Sequence, residues 1–431
     1  MTEASLLLCH RLPYPPDKGD KIRSFALLRH LAAKGPVHLA CFVDAQEDLK
    51  YCDEVRRIAG GTCHFEPISR FAKWFRATKA IVLAKPITTS HFASQHLAKR
   101  VQEIVASENI ENIVVFGSAM APYLCDDKIN ARRVLFDMVD VDSDKWQQYA
   151  ASSKGVLRWV YAREARAIAR LECDATCTFG RTLLVSAFEC ETLKGMVPDC
   201  AHRIGALNNG VDLDFFSPGI TTGCFPSGEI PVVMTGRMDY RPNYEGAIWF
   251  ANKIAPRIFA ALPKATIYFV GASPPAILRN VARRNITVTG AVDDIRPFIA
   301  GAAAVVAPLL IARGVQNKVL EAMAMKKPVV ATYEATRALN VIPGEHLWVE
   351  NEPERFADAV INAIRSPKRF DVANRARAYV EENHNWAQIL STLDIELEGL
   401  RQRSASDDCR TEPPPIAIAL PQTPNATGAR A

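Results

Sequence analysis

No CxxC pair occurs in this sequence, and its eleven cysteines stand singly, as at Cys9, Cys41, Cys52, Cys63, Cys125 and Cys173. That spacing argues against a zinc site and against a disulfide framework, and makes a reducing cytoplasm the simplest setting. No window approaches the roughly 20 consecutive apolar residues of a membrane-spanning helix. Met1 leads to a strand-like LLLC with no basic segment and no long apolar stretch, so no signal peptide is expected. Charge of one sign is also scarce. A net charge of +5 fits an anionic small molecule or an anionic membrane surface as readily as nucleic acid, and decides nothing alone.

What is present is an ordinary globular balance, 48% apolar and 23% charged, in a chain of 431 residues. That length exceeds one ordinary core and suits two domains. Short apolar runs alternate with amphipathic stretches. SLLLCH precedes a helix-like IRSFALLRHLAAKG, then come VHLACFV, a helical EDLKYCDEVRRIAGG and CHFEPI. NIVVFG, RVLFDMVD, a long helical segment around 155–172, ATCTF and LLVSA follow. After a turn-rich break at 217–231 the alternation restarts with PVVMTG, a helix over NYEGAIWFANKIAPRIFAAL, and ATIYFVG. It continues through a helical PPAILRNVARR, NITVTG, a helical IRPFIAGA, AVVAPLL, PVVAT, LWVE and a helical ERFADAVINAIRS. Strands alternating with helices predict parallel sheets covered on both faces, here in two doubly wound halves joined near 205–230. Such sheets bind ligands beyond the carboxyl ends of their strands, so a cleft between the halves is the expected site.

RFAKWFRATKAIVLAK (70–85) mixes aromatic, aliphatic and basic residues at near-helical spacing. It reads either as a helix lying on a membrane interface or as one packed on the N-terminal sheet with its basic face solvated. From Ser404 the chain turns Ser/Asp- and then Pro/Ala/Thr-rich, which predicts a disordered tail over 404–431.

Four stretches carry chemistry. In PYPPDKGDKIRS (13–24), Gly19 lets backbone approach a ligand at a helix start, with Lys18, Lys21 and Arg23 adding positive charge; a plain loop is the alternative. In MTGRMDYRPN (234–243), Arg237 and Arg241 flank another helix start and could fork onto a diphosphate, or be surface arginines without a ligand. In IARGVQNKVLEAMAM (311–325), Gly314 ends a strand and a helix begins near Val315 or Gln316. Val315, Val319, Leu320, Met323 and Ala324 should pack inward, leaving Asn317, Lys318 and Glu321 on another face. A lysine in a first turn opposes the helix dipole, and an anionic ligand sharing that turn reverses the sign. Glu321 is placed to accept from sugar hydroxyls; an exposed Lys–Glu pair is the alternative. RVLFDMVDVDSDKWQQY (133–149) holds Asp137, Asp140, Asp142 and Asp144, either as hydroxyl-binding carboxylates or as caps of the following helix.

VLEAMAMKKPVVAT resembles the donor-site segment of the retaining GT-B glycosyltransferases of family 4, and NNGVDLDFFSP (208–218) looks like their domain-linking stretch. PYPPDKGDKIRS, DMVDVDSDKW, YAREARAI, TGRMDYRPN and ARGVQNKVLEAMAM together resemble the sugar transferases associated with exosortase and PEP-CTERM exopolysaccharide systems. The resemblance implies an α/β GT-B fold, two Rossmann-like domains facing each other across a cleft. It divides the chain into an acceptor-side domain over 1–205 and a nucleotide-sugar domain over 206–385, with a helix at 386–403 packing back on the first. It implies transfer of a hexosyl unit, with retention, from a nucleoside-diphosphate sugar to a glycan or lipid-linked hydroxyl acceptor in exopolysaccharide synthesis. No cofactor, essential metal or nucleic acid is expected, and the protein should be cytoplasmic, touching the inner membrane through 70–85.

The same resemblance assigns catalytic roles to Arg237, Lys318 and Asp140, the last standing in a region where the family often has a cleft-lining histidine. Together with the residue readings above it gives donor binding to Gly19, Gly236, Arg241, Arg313, Gly314, Gln316, Asn317 and Glu321, and acceptor binding to Lys21, Arg23, Asp142 and Asp144. The family's second phosphate-binding basic residue would fall close to Pro242, so Arg241 or Lys318 substitutes for it. Arg313 departs from the pattern: it occupies the first position of a Glu-x7-Glu pair, and a cation cannot accept from donor-sugar hydroxyls. A nucleotide-sugar epimerase and a non-catalytic, nucleotide-sugar-binding scaffold of an export complex are the rival readings.

Overall fold

The computed structural model describes residues 3–68, 86–124 and 130–407; the basic amphipathic stretch at 70–85 and nearly all of the tail lie outside them. The chain forms two compact units, residues up to Leu207 together with those from Leu390, and Asn208–Ile389. Among the described residues no helix is long and apolar enough to cross a membrane.

The N-terminal unit is built on β1 (Ser5–Cys9), β2 (Val37–Val43), β3 (Gly60–Pro67), β4 (Asn112–Phe116), β5 (Val134–Val139), β6 (Arg181–Leu184) and β7 (Ile204–Ala206). All pair in parallel in the order β3-β2-β1-β4-β5-β6-β7. Every residue of β1, β2 and β4 is buried, the signature of a sheet covered on both faces. The second unit carries β8 (Ile230–Thr235), β9 (Ala265–Val270), β10 (Ile286–Gly290), β11 (Ala304–Ala307), β12 (Val329–Ala331) and β13 (Trp348–Val349), in the order β10-β9-β8-β11-β12-β13. Both orders reverse direction beside their first strand, so the switch points, where doubly wound sheets commonly bind ligands, lie beyond β1 and β4 and beyond β8 and β11.

Several local expectations are corrected. ATCTF is no strand, because the Gly155–Thr178 helix continues through it. PPAILRNVARR holds only a short helix, Ala276–Arg279. The helical stretch from Arg241 to Ala261 contains a π turn at Phe250–Ile254. Pro256 lies two residues beyond it; it has no N–H to donate and its ring crowds the preceding turn, a conflict a wider turn accommodates. The last helix, Trp386–Asp407, runs three residues past Ser404. Cysteine spacing also misled: Cys177 and Cys200 form a disulfide, because the end of the long helix meets the turn before β7.

Two long-range pairs organise the N-terminal unit. Arg23, 1% exposed, forks onto Asp137 of β5 at 2.7 and 2.9 Å and donates to the Leu207 carbonyl at 2.7 Å. Glu396, on the last helix, accepts from Arg181 at the start of β6 at 2.6 Å, so that helix lies against this unit.

Candidate functional site

The crevice of the second sheet opens where β8 ends. Gly236 follows β8 with φ +142°, and Gly271 follows β9 with φ +149°, a region essentially closed to other residues. The two main chains pass so closely that a Cβ on Gly271 would lie 1.8 Å from the Gly236 carbonyl oxygen. A Cβ on Gly236 would stand 3.3 and 3.4 Å from Cε and Nζ of Lys318, and 3.0 Å from Nδ2 of Asn243. The strand end is thus pared to backbone, and a lysine from across the switch point lies over it.

Lys318 arrives there from the Asn317–Ala324 helix, which begins one to two residues later than its sequence suggests. Val319, Leu320, Met323 and Ala324 are fully buried, and Val315 nearly so, so the apolar stripe faces the core as expected. The opposite face keeps Lys318 and Glu321 part-buried. Lys318 donates to Oδ1 of Asn243, whose Nδ2 donates to the Arg237 carbonyl at 2.7 Å. Asn243 therefore ties the loop after β8 to the helix after β11. Burial pushes Lys318 down to about 8 against the attraction of Glu321, and pushes Glu321 up to about 7 against the attraction of Lys318. A cation and an acid one turn apart are thus each shifted toward neutrality by the same burial.

The first turn of this helix has no acidic residue and no side-chain cap. Gln316 instead curls back to donate from Nε2 to the Arg313 carbonyl at 2.8 Å. Gly314 turns the preceding loop with φ +57°, and Arg313 is buried beside it. Helix N–H groups left uncapped attract negative charge. Asn317 accepts at Oδ1 from Asn209 at 3.3 Å, and the Asn209 carbonyl is held 2.7 Å from His384 Nδ1. The NNGVD stretch thereby braces the same turn.

The two arginines do not make a common fork. Arg237 chelates Asp239 at 3.2 and 2.9 Å, and Arg241 pairs with Glu245 at 2.7 Å. Both guanidinium groups are about one-third exposed. Of the two substitutes for a second phosphate-binding cation, Lys318 lies over the glycine strand end, whereas Arg241 is held along its own helix.

The N-terminal unit requires larger corrections. Lys21 is 1% exposed and pairs with Asp48 at 2.7 Å, and Arg23 is spent on Asp137, so neither is offered to an acceptor. Asp137, wholly buried, likewise leaves the set of hydroxyl-binding carboxylates. Gly19 is simply the first residue of a helix whose dipole already meets the carboxylate of Asp20, which accepts the Lys21 N–H at 3.0 Å. A second anion there would be repelled. Asp142 and Asp144 occupy the first turn of the Asp142–Ala151 helix, paired to Lys145 and accepting from Gln148 at 3.2 Å respectively, as dipole partners.

Asp140 stands apart. Val139 before it has φ +73°, and the Asp140 N–H donates to the Met138 carbonyl at 3.0 Å, a γ-turn of the rare, strained hand. A β-branched residue there is a genuine outlier, and such strain concentrates at functional positions. The loop after it is strapped by buried acids: Glu189 accepts from Val141 N–H at 2.9 Å, and Glu172 from the N–H (3.2 Å) and hydroxyl of Ser143. Burial, with Asp142 nearby, pushes Glu172 up to about 8.

Sequence reasoning missed His10, which follows β1 at this sheet's own switch point. Its ring stacks on Phe116 at 5.6 Å, its Nε2 lies 3.2 Å from Asp20, and its buried Nδ1 has no hydrogen-bond partner among the described residues. Arg11 bridges Asp20 and Asp44. Burial alone would raise Asp20, but His10 and Arg11 hold it well below the usual carboxylate range. The available signal was a histidine closing the apolar run SLLLCH. Asn243 had no signal beyond its place in the first turn of the helix after β8.

Residues 229–366 match the family described as glycosyl transferases group 1. An uncharacterised 44.6 kDa protein in the cps region of Klebsiella pneumoniae is 22% identical over 172 residues, 38% of this chain. The match spans 44% of that relative's length. Among solved structures, Anabaena HepE in complex with UDP and glucose superposes with a TM-score of 0.63 at 12% identity, covering 92% of this chain and all of that one. Sucrose-phosphate synthase from Thermosynechococcus elongatus gives 0.68 at 17%, over 94% and 100%. WaaG, a glycosyltransferase involved in lipopolysaccharide biosynthesis, gives 0.66 at 15%, over 91% and 99%. The fold is therefore GT-B, and the matched segment holds Gly236, Asn243, Arg313, Lys318 and Glu321.

Proposed function

We propose that the protein transfers a glycosyl unit from a nucleoside-diphosphate sugar to a hydroxyl acceptor, with retention. The carrying observation is the placement of Lys318 over the bare Gly236 strand end, beside an uncapped helix start and Glu321, within a segment matching group 1 glycosyltransferases. Breaking the anomeric C–O bond develops negative charge on the leaving diphosphate. Lys318 and the first-turn N–H groups stabilise that charge, and Arg237 joins them by leaving Asp239. Glu321 accepts from the ribose hydroxyls. The acceptor oxygen attacks the anomeric carbon from the face the diphosphate leaves, and its proton passes to a phosphate oxygen, so no protein nucleophile is required. UDP in the HepE complex, and the lipopolysaccharide and cps contexts of two other relatives, support a UDP-sugar donor and a lipid-linked acceptor of surface-glycan synthesis.

The test is incubation with radiolabelled nucleotide sugars and a lipid-linked acceptor pool. Turnover and donor binding left intact in Lys318→Ala or Glu321→Ala would show the site assignment to be wrong. Consumption of donor without an acceptor would point to epimerisation instead.

A further inference from the structure

A second cluster lies in the N-terminal unit, outside every residue used above. His64 and Glu66 are two apart on β3, so strand alternation puts both side chains on one face. His96 meets them from the first turn of the Gln95–Ser107 helix, which packs on that side of the sheet. His64 Nε2 lies 3.6 Å from Glu66 Oε2, His96 Nδ1 lies 3.5 Å from the same oxygen, and the three atoms fall within 4.8 Å of one another. The two rings meet edge to face, their centroids 4.8 Å apart.

These contacts are too long to be good hydrogen bonds. His64 Nε2 and Glu66 Oε2 are nevertheless shut from solvent, with no hydrogen-bond partner among the described residues. Three atoms able to supply a lone pair thus lie close together without a good hydrogen bond between them. The spacing has a simple meaning: an ion with bonds of ~2.0–2.1 Å in tetrahedral array sets its ligand atoms about 3.3–3.4 Å apart. Two edges of the cluster are already close to that value. The third closes by a swing of His96, whose side chain is 66% exposed.

We propose that His64, Glu66 and His96 bind a zinc-class divalent cation, with the fourth position left to water. Two imidazoles and one carboxylate favour such an ion over magnesium or calcium, which prefer all-oxygen shells. The site sits at the carboxyl end of β3, because the helix leading back toward β4 starts where the parallel strands finish. Among the described residues β3 is an edge strand, paired to β2 alone. A bound ion would clamp that edge to the helix, so its binding free energy would appear as stability of this unit.

The experiment titrates Co2+ alone into the full-length chain without a histidine tag. The expected result is the ligand-field spectrum of tetrahedral cobalt on nitrogen and oxygen, without thiolate charge-transfer bands, displaced by Zn2+. His96→Ala, at an exposed position, should fold normally and lose the spectrum together with the Zn2+-induced rise in melting temperature. Glu66→Gln, which keeps the shape, should weaken binding by at least about ten-fold, the lower bound for disturbing even an outer-shell partner. No cobalt spectrum, thiolate bands that place the ion on cysteines, or an unchanged spectrum in His96→Ala would each overturn the assignment.

Discussion

Replacing Lys318 by Met tests the donor site most directly, because it keeps the aliphatic stem and deletes only the ammonium. If that group carries a charge-assisted bond to a diphosphate, its removal costs about 1.5–3 kcal/mol, or roughly 12- to 140-fold in UDP affinity at pH 7. The pH profile sharpens the test. Lys318, lowered to about 8 by burial, is charged below that value and neutral above it in the free protein. At pH 9 only about a tenth of the protein is competent, so wild-type UDP affinity should fall about ten-fold from its neutral value. Glu321, raised to about 7, is a full acceptor only above that pH, which weakens binding on the acid side. Titration calorimetry with UDP should therefore give a bell with its crest between pH 7 and 8. Lys318→Met should lose the alkaline limb and shift the acid limb upward, because Glu321 loses the attraction that held it down. A variant binding within two-fold of wild type, or a flat wild-type profile from pH 7 to 9, would refute the reasoning.

Gly236→Ala should destabilise the second unit by about 1–3 kcal/mol, since φ +142° strains any side chain, and should weaken UDP binding by pressing on Lys318; calorimetric melting and UDP titration measure the two effects separately. Arg23→Leu leaves Asp137 buried without its cation and should cost about 3–5 kcal/mol, a fall on the order of 10 °C in the melting of the N-terminal unit; an unchanged melting temperature would contradict the buried pair. Glu172, with its folded value raised to about 8, binds a proton the unfolded chain releases near 4.5, so its stabilising contribution is full below 4.5 and lost as pH rises through 8. Denaturant titrations from pH 4.5 to 9 should show that decline in wild type and a shallower one in Glu172→Gln.

The alternation of apolar runs and amphipathic helices was legible because parallel strands buried on both faces must be continuously apolar. The helix over NKVLEAMA was legible for a related reason: its apolar residues recur at helical spacing and face the core. What escaped was whatever depends on partners far apart in sequence. Lys21 and Arg23 looked like ligand-binding cations because nothing near them in the chain shows Asp48, or Asp137 114 residues away. Asn243 and Lys318 are 75 residues apart, and their contact exists only because β8 and β11 are neighbours. ATCTF misled because β-branched and apolar residues also suit the buried end of a long helix.

In sequence Gly236 and Gly271 are twins, each closing an apolar strand, yet the ways out of them differ. The nearest obstacles to a methyl group at 236 are side-chain ends, Lys318 and Asn243, and a second substitution could move them aside at the expense of the cation. The obstacle at 271 is the carbonyl of Gly236 itself, and no change of side chain anywhere removes a main-chain oxygen. Position 236 is therefore open to a two-step drift that would give up the Lys318–Asn243 arrangement, leaving only backbone strain. Position 271 has no such path. A descendant that had lost its activity could shed the first glycine while still being compelled to keep the second.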